Sequence, residues 1–359
     1  MMTDLTKHLV QQVKHAPSRN QVFCIQGGSS KDFYGRRPEG LPLKLSEHTG
    51  IVGYDPDELV ITVRSGTRLA EIDAVLAENR QVLAFDPPHF SQASTIGGTV
   101  ACNLSGPARP WAGACRDMVL GLKLIDGRGE LLNFGGKVMK NVAGYDVSRL
   151  QCGGLGCFGI ITEVSLKVMP AKFCSLSLVA PIDDADIAIR LMNRLSACGI
   201  ALTGAAWSGA ALHVRLEGSA TGVSSAAARL REIAHDLTFS ETASDYWNDL
   251  RDQSIDFFGG GEPIWRFSVK STAPHFLPGA DWLVDWAGSQ RWLKGDFTSR
   301  QLEAEARKAS GSVSCFRNGD RSDEVFQLSD PVTQGLLANL KAAFDPYNLF
   351  NPGRLYSQL

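Results

Sequence analysis

The sequence has little of what usually marks a metal centre, a membrane anchor or a nucleic-acid surface. Its eight cysteines (Cys24, Cys102, Cys115, Cys152, Cys157, Cys174, Cys198 and Cys315) form no C-x-x-C pair. That spacing argues against a zinc or iron–sulfur site and leaves reduced thiols in a core as the expectation, with no metal site. No run reaches the ~18–20 apolar residues needed to span a bilayer. Met1–Asn20 interleaves charged and apolar residues and lacks the apolar centre of a signal peptide. A cytoplasmic location follows as the expectation, with any membrane association made through partners. Net charge is −2 and no block of like charge occurs, so no nucleic-acid partner is expected.

Glycine is in excess. The 36 glycines are about a tenth of the 359 residues, against a usual ~7%. They are gathered rather than spread. A short buried strand, Val22–Ile25, runs into Gln26-Gly27-Gly28-Ser29-Ser30. Backbone N–H groups that no side chain shields can converge on an anion there, and Ser29 and Ser30 add hydroxyl donors. This loop is not the G-x-G-x-x-G fingerprint with a following acidic residue, and no Gly-Lys-Ser or Gly-Lys-Thr follows it, so both common phosphate folds are disfavoured. A second glycine break, Thr95-Ile96-Gly97-Gly98-Thr99, leads into the small-residue segment ending Asn103-Leu104-Ser105-Gly106. Two anion-binding loops about seventy positions apart suit a ligand with a diphosphate in its middle.

Length favours two domains. Periodicity predicts an amphipathic helix over 5–15, strands at 41–45, 50–54 and 59–64, and a helix carrying Leu69, Ile72, Val75 and Leu76. It further predicts a hairpin of 118–125 with 130–133 around Asp126-Gly127-Arg128-Gly129, then a β-rich run over 160–168 closed by Pro170. Beyond Pro170, helices over 182–198 and 224–235 alternate with strands at 211–217, 263–269, 288–293 and 311–316. That pattern suggests an antiparallel sheet with helices on one side, an α+β domain. A final helix is expected over 334–344. Trp247, Trp265, Trp282, Trp286 and Trp292 crowd together, either as a binding surface or, the stronger expectation, as the core of this second domain.

Taken in order, Gly-Gly-Ser-Ser, TIGGTVACNLSG, GLKLIDGRGELL and NVAGYDVSRLQCGGLGCFGIITEVSLKVMP resemble the FAD-binding domain of the p-cresol methylhydroxylase or vanillyl-alcohol oxidase type. The GYD and LGxFGIITE elements after TIGG are the specific part. The ending Phe344-Asp345-Pro346-Tyr347-Asn348-Leu349-Phe350-Asn351-Pro352-Gly353-Arg354 is similar to that family's C-terminal return to the FAD domain. Short length, a compact cap and the WRFSVK segment (Trp265–Lys270) look most like the FAD-binding subunits of glycolate oxidases. The resemblance implies an α+β fold: a two-subdomain FAD-binding domain over 1–170, an α+β cap over 171–335, and a returning segment over 336–359. It implies diphosphate contacts at Gly27, Gly28, Ser29, Ser30, Ser94, Thr95, Gly97 and Gly98. Adenine and ribityl contacts would come from Gly154, Gly156, Gly159, Ile160 and Ile161. The histidine that attaches the flavin covalently in some members is absent, with Ser29 near its position, so FAD is expected to be non-covalent. The implied partners are a larger FAD-binding glycolate oxidase subunit and an iron–sulfur subunit, and the complex would act on a small 2-hydroxy acid.

Oxidising a 2-hydroxy acid needs a cation for the carboxylate and a base for the hydroxyl proton. Arg251 and Arg266, in the expected cap, are candidates for the first, since arginine grips carboxylates bidentately. His89, in the loop before the second glycine break, is the candidate for the second. Related 2-hydroxy-acid dehydrogenases carry a histidine and glutamate metal cluster in the cap; no such cluster is found here. Three readings therefore stay open: a subunit that oxidises glycolate itself, a flavoprotein that relays electrons or supports assembly, and a stand-alone flavin oxidase.

Overall fold

The computed structural model describes residues 2–136, 146–243, 245–327 and 330–359. The chain folds into two units. The first comprises Met1–Leu104, Ala114–Pro170 and Asp320–Leu359; the second comprises Ser105–Gly113 and Ala171–Gly319. The return to the first unit thus begins earlier than position 336, and a short piece of the N-terminal half joins the second unit.

In the first unit the β-branched run Val60–Arg64 becomes an inner strand, as its composition demands. It pairs antiparallel with Ile51–Asp55 on one side and with Ile160–Lys167 on the other. Ile160–Lys167 in turn pairs with Val119–Ile125, which forms the hairpin with Leu131–Gly135. Helix Leu69–Glu78 buries Leu69, Ile72 and Leu76 against Ile61, Val63, Val164 and Leu166 of this five-stranded sheet. Full burial of each such side chain stabilises the unit by about 1.5–3 kcal/mol. Ile96 and Val100 enter the same core from helix Ile96–Cys102, a segment whose small residues gave no helical period.

A second core lies under the first glycine loop. Strand Phe23–Gln26 pairs parallel with Leu41–Lys44, and Phe350 bridges to Phe23. Helix Thr6–His15 buries Leu9 and Val13 against Phe23, Leu43, Ile160 and Phe350. The C-terminal segment is clasped here by Asp345, which is 2% exposed and accepts from Leu349 N at 2.9 Å, Phe350 N at 2.8 Å and Lys341 Nζ at 2.8 Å. Buried Lys341 also donates to the carbonyls of Cys157 and Phe350, both at 2.8 Å. This pair is buried yet satisfied, which is the condition for tolerating charge inside a protein.

The second unit is an eight-stranded sheet in the order Ser240–Glu241, Cys174–Pro181, Ala211–Gly218, Leu202–Trp207, Asp281–Asp285, Gln290–Lys294, Ile264–Ser268, Ser312–Arg317. All its neighbouring strands run antiparallel. Helices Ala185–Ala197, Ala220–Ile233 and Ser299–Lys308 bury Met192, Leu230 and Leu302 in its core. All five crowded tryptophans are buried, between 3% and 5% exposed, which favours the core expectation over a binding surface. The eight cysteines carry free thiols. Among the described residues no helix is long and apolar enough to cross a membrane.

Candidate cofactor cleft

The first unit contains a cleft at which the glycine-rich stretches meet. Gly27, Gly28, Ser29 and Ser30 line it from the first loop, Thr95, Gly97 and Gly98 from the second, and Gly156, Gly159 and Ile161 from the third. Ser94 bonds the first two loops together: Ser30 Oγ donates to Ser94 Oγ at 3.2 Å, and Lys31 Nζ donates to it at 2.5 Å. Gly154 and Ile160 are placed differently. Ile160 is fully buried in the core beneath the cleft, and a Cβ on Gly154 would lie 2.8 Å from the Phe158 ring.

Close approach explains the glycines. A Cβ on Gly28 would sit 1.5 Å from the carbonyl oxygen of Ala93, so only glycine lets the first loop lie against the segment before the second. A Cβ on Gly97 would meet the Ser65 carbonyl oxygen at 2.8 Å, where Gly97 N–H donates to that same oxygen. Backbone strain also gathers here: Ser29, Leu155 and Asn351 line the cleft with φ of 56°, 49° and 43°. Non-glycine residues held in the left-handed region are a recurrent property of ligand sites.

Asn351 ties the cleft together. Its Oδ1 accepts from Ile25 N at 2.7 Å, just before the first loop, and its Nδ2 donates to Leu155 O at 2.6 Å in the third. The side chain is 1% exposed, so each bond satisfies a buried group. Two further polar atoms on the cleft wall are buried without a partner: Ser65 Oγ and Arg354 Nε. Unsatisfied buried donors beside a glycine-lined cleft fit an anionic, oxygen-rich ligand such as a dinucleotide diphosphate. Cys102 also lines the cleft, but burial pushes its thiol up, away from the reactive thiolate. Lys31, Ser65, Asn351 and Arg354 carry no glycine signal, and sequence reasoning passed over them; the NPGR ending was the one hint to the last two.

The run Gly154-Leu155-Gly156-Cys157-Phe158-Gly159 has G-x-G-x-x-G spacing but follows the short helix Val147–Leu150 and enters strand Ile160–Lys167. That is the reverse of the strand-then-helix order of the dinucleotide fingerprint. Of the GYD element, Gly144 and Tyr145 lie outside the described residues. Asp146 caps the short helix, accepting from Arg149 N at 3.1 Å.

His89 does not line the cleft; its Nε2 lies 3.1 Å from Asp73 Oδ2. In the second unit, Arg251 is held by the adjacent Asp252, Nε to Oδ1 at 3.0 Å and Nη2 to Oδ2 at 2.8 Å. Arg266 is arranged otherwise. Its Nε donates to Gln290 Oε1 at 2.7 Å, and its guanidinium lies 5.2 Å from the Trp286 ring centroid and 5.7 Å from that of Trp292. Arg109 packs on the same Trp286 ring at 4.4 Å. Trp286 and Ala287 both have left-handed φ, 52° and 53°. Trp286 is fixed by Nε1 donating to Gly106 O at 2.9 Å and by its N–H donating to Asp285 Oδ1 at 2.7 Å. Behind this turn Arg291, fully buried, donates to the carbonyls of Gly288, Pro274 and Ala273. Burial lowers its pKa to about 10. Among the described residues no group of three or more His, Cys, Asp or Glu side chains is arranged to hold a metal ion.

Comparison with known proteins places this geometry. Residues 4–135 match the FAD binding domain family. The chain is 43% identical over 357 residues to glycolate oxidase subunit GlcE of Escherichia coli, covering 99% of both proteins. It is 33% identical over 187 residues to glycolate oxidase subunit GlcD of Bacillus subtilis, covering 51% of this chain and 39% of that one. The structure of p-cresol methylhydroxylase with substrate bound shares the fold at a TM-score of 0.76 and 14% identity, over 99% of this chain and 88% of that chain. The α+β architecture of the p-cresol methylhydroxylase type is therefore this chain's own. The chain carries an FAD binding domain match over residues 4–135 and belongs to the family of glycolate oxidase subunit GlcE.

Proposed function

We propose that this chain is the FAD-carrying subunit of a glycolate oxidase complex, which oxidises glycolate, a 2-hydroxy acid, to glyoxylate and passes the electrons to an iron–sulfur partner subunit. The observation that carries this reading is the end-to-end relationship to glycolate oxidase subunit GlcE, joined to a cleft suited to a diphosphate. The match to a GlcD subunit supports a larger flavoprotein partner of related fold.

Bound FAD supplies the acceptor for the electrons leaving the substrate carbon. The chain's own residues hold and orient it. Gly27, Gly28, Ser29 and Ser30, with Ser94, Thr95, Gly97 and Gly98, would take the diphosphate. Gly156, Gly159 and Ile161 would line the remainder, while Gly154 and Ile160 act from behind by shaping the third loop. The cofactor is held without a covalent bond, since Ser29 occupies the loop position where some relatives of this type place a flavin-bonded histidine.

Of the two arginines, Arg266 is the better carboxylate holder. Arg251 already has a bidentate carboxylate partner in Asp252, whereas Arg266 is oriented through Nε by a neutral amide and flanked by two indole rings. A guanidinium so held keeps its terminal N–H groups for a planar carboxylate. His89, the sequence candidate for accepting the hydroxyl proton, lies against Asp73 and does not line the cleft, so its placement adds no support for that role.

The test is anaerobic mixing of glycolate with the FAD-loaded chain, alone and together with its partner subunits. Bleaching of the flavin absorbance in the assembled complex is expected. A fully loaded complex whose flavin stays oxidised with glycolate would contradict the reading.

A further inference from the structure

Two buried cations reach the cofactor cleft from different parts of the sequence. Lys31 directly follows the first glycine loop and is 5% exposed. Its ammonium donates to Ser94 Oγ at 2.5 Å and to Ser30 Oγ at 3.4 Å, so its charge sits where the two loops meet. Arg354 comes from the C-terminal segment and is 6% exposed. Its Nη2 makes a long bond, 3.5 Å, to the Tyr34 carbonyl, and its Nε is buried with no partner. The hydroxyl of Ser65, also buried and unpartnered, lines the same space. The acidic residue among those lining the cleft is Asp32, which is exposed to solvent. Lys31 and Arg354 both reach Cys102 in the cleft wall, where they oppose the effect of burial on its thiol and the carboxylate of Asp32 adds to it.

Burying a guanidinium with an unsatisfied N–H is costly unless an anion completes it. Glycine-loop amides orient a phosphate but bring no net charge, whereas each phosphate of a dinucleotide diphosphate carries a negative one. We propose that Lys31 and Arg354 clamp the diphosphate of the cofactor, with Ser65 Oγ as a neutral donor beside them. The C-terminal segment would then supply a ligand to the cofactor as well as packing beneath its loops. This assignment rests on reading the cleft as the FAD site.

The experiment measures FAD affinity of the full-length apoprotein by flavin fluorescence for the wild type, Lys31→Met, Arg354→Met and Arg354→Lys. Inorganic pyrophosphate and adenosine serve as competitors. Thermal melting of each apoprotein checks the fold. Each methionine variant is expected to bind FAD about 10- to 100-fold more weakly, the size of one or two lost charge-assisted bonds. Arg354→Lys should recover most of that loss. Pyrophosphate should displace FAD from the wild type and compete poorly in the methionine variants, while competition by adenosine stays unchanged. The clamp is overturned if both methionine variants bind FAD within twofold of wild type. It is also overturned if Arg354→Lys, folded, loses as much as Arg354→Met, since charge would then not be the cause. Failure of the wild type to bind FAD at all would instead sink the FAD reading, and the clamp with it.

Discussion

The cleft of the first unit and the arginine–tryptophan cluster of the second are built by opposite means. The cleft is made of backbone: Gly28 passes under Ala93, Gly97 against Ser65, and Asn351 stitches Ile25 to Leu155. The second-unit cluster is made of side chains brought together from distant positions, Arg109, Arg266, Trp286 and Gln290, on a turn forced into left-handed backbone at Trp286 and Ala287. A backbone site tolerates almost no added atom, and it draws on side-chain identity only at the few buried polar positions, such as Asn351, that hold its loops together. A side-chain site tolerates changes of bulk around it but depends on one functional group. Mutations should therefore sort by unit: those in the first should remove the cofactor, those in the second should spare it.

The largest effect is expected from Gly28→Ala. A Cβ 1.5 Å from a backbone oxygen has no flexible neighbour to displace, so the loops must part. Purified Gly28→Ala should carry almost no flavin, read from the ratio of absorbance at 450 nm to 280 nm. Retention of wild-type flavin would break the comparison at its strongest point. Next comes Arg266→Met, expected to leave flavin content unchanged while lowering kcat/KM for glycolate in the complex by about 100-fold, the loss of a bidentate charged contact. Arg251→Met, already neutralised by Asp252 in the wild type, should change kcat/KM less than about threefold, with a stability loss of ~1 kcal/mol or less. Equal losses in the two variants would erase the distinction drawn between them.

Asn351→Leu should sharpen the picture of the cleft. It strips partners from the Ile25 amide and the Leu155 carbonyl, for an expected loss of about 2–4 kcal/mol in urea unfolding together with weaker flavin retention. The smallest effect concerns pH. His213 stacks on Tyr246 at 3.7 Å, and burial lowers its pKa from 6.5 to about 4. The folded state thus holds the neutral ring, so the unfolded state binds more protons between those values. The stability contribution of the neutral ring is complete above pH 6.5 and declines as pH falls toward 4. His213→Phe should flatten the fall in unfolding free energy across that window; an unchanged slope would remove this histidine as its source.

How much was legible in the sequence also differs between the two regions. The glycine loops, the hairpin of Val119–Ile125 with Leu131–Gly135 and the run Ile160–Lys167 could be read directly, because glycine pairs, turn residues and β-branched runs are local signals. Helix Ile96–Cys102 was not legible, since Gly97, Gly98 and Thr99 are poor helix formers, and tertiary burial of Ile96 and Val100 decides the matter. Strands Cys174–Pro181, Leu202–Trp207 and Asp281–Asp285 were missed because the first two mix Ser, Gly and Ala into their apolar pattern and the third is only five residues long. In the cleft, Lys31, Ser65, Asn351 and Arg354 gain meaning from partners that folding brings near, Ser94, Gly97, Ile25 with Leu155, and Tyr34 respectively. In the second unit nothing in the sequence distinguished Arg266 from Arg251; the difference lies in Gln290 and Trp286, which only folding brings near.

The most direct test of the central claim is acid precipitation of the purified full-length chain, followed by chromatography of the supernatant. Non-covalent binding in the first-unit cleft is expected to release one FAD per chain, intact, into solution. Flavin retained on the precipitate, release of FMN in its place, or no flavin at all would contradict it.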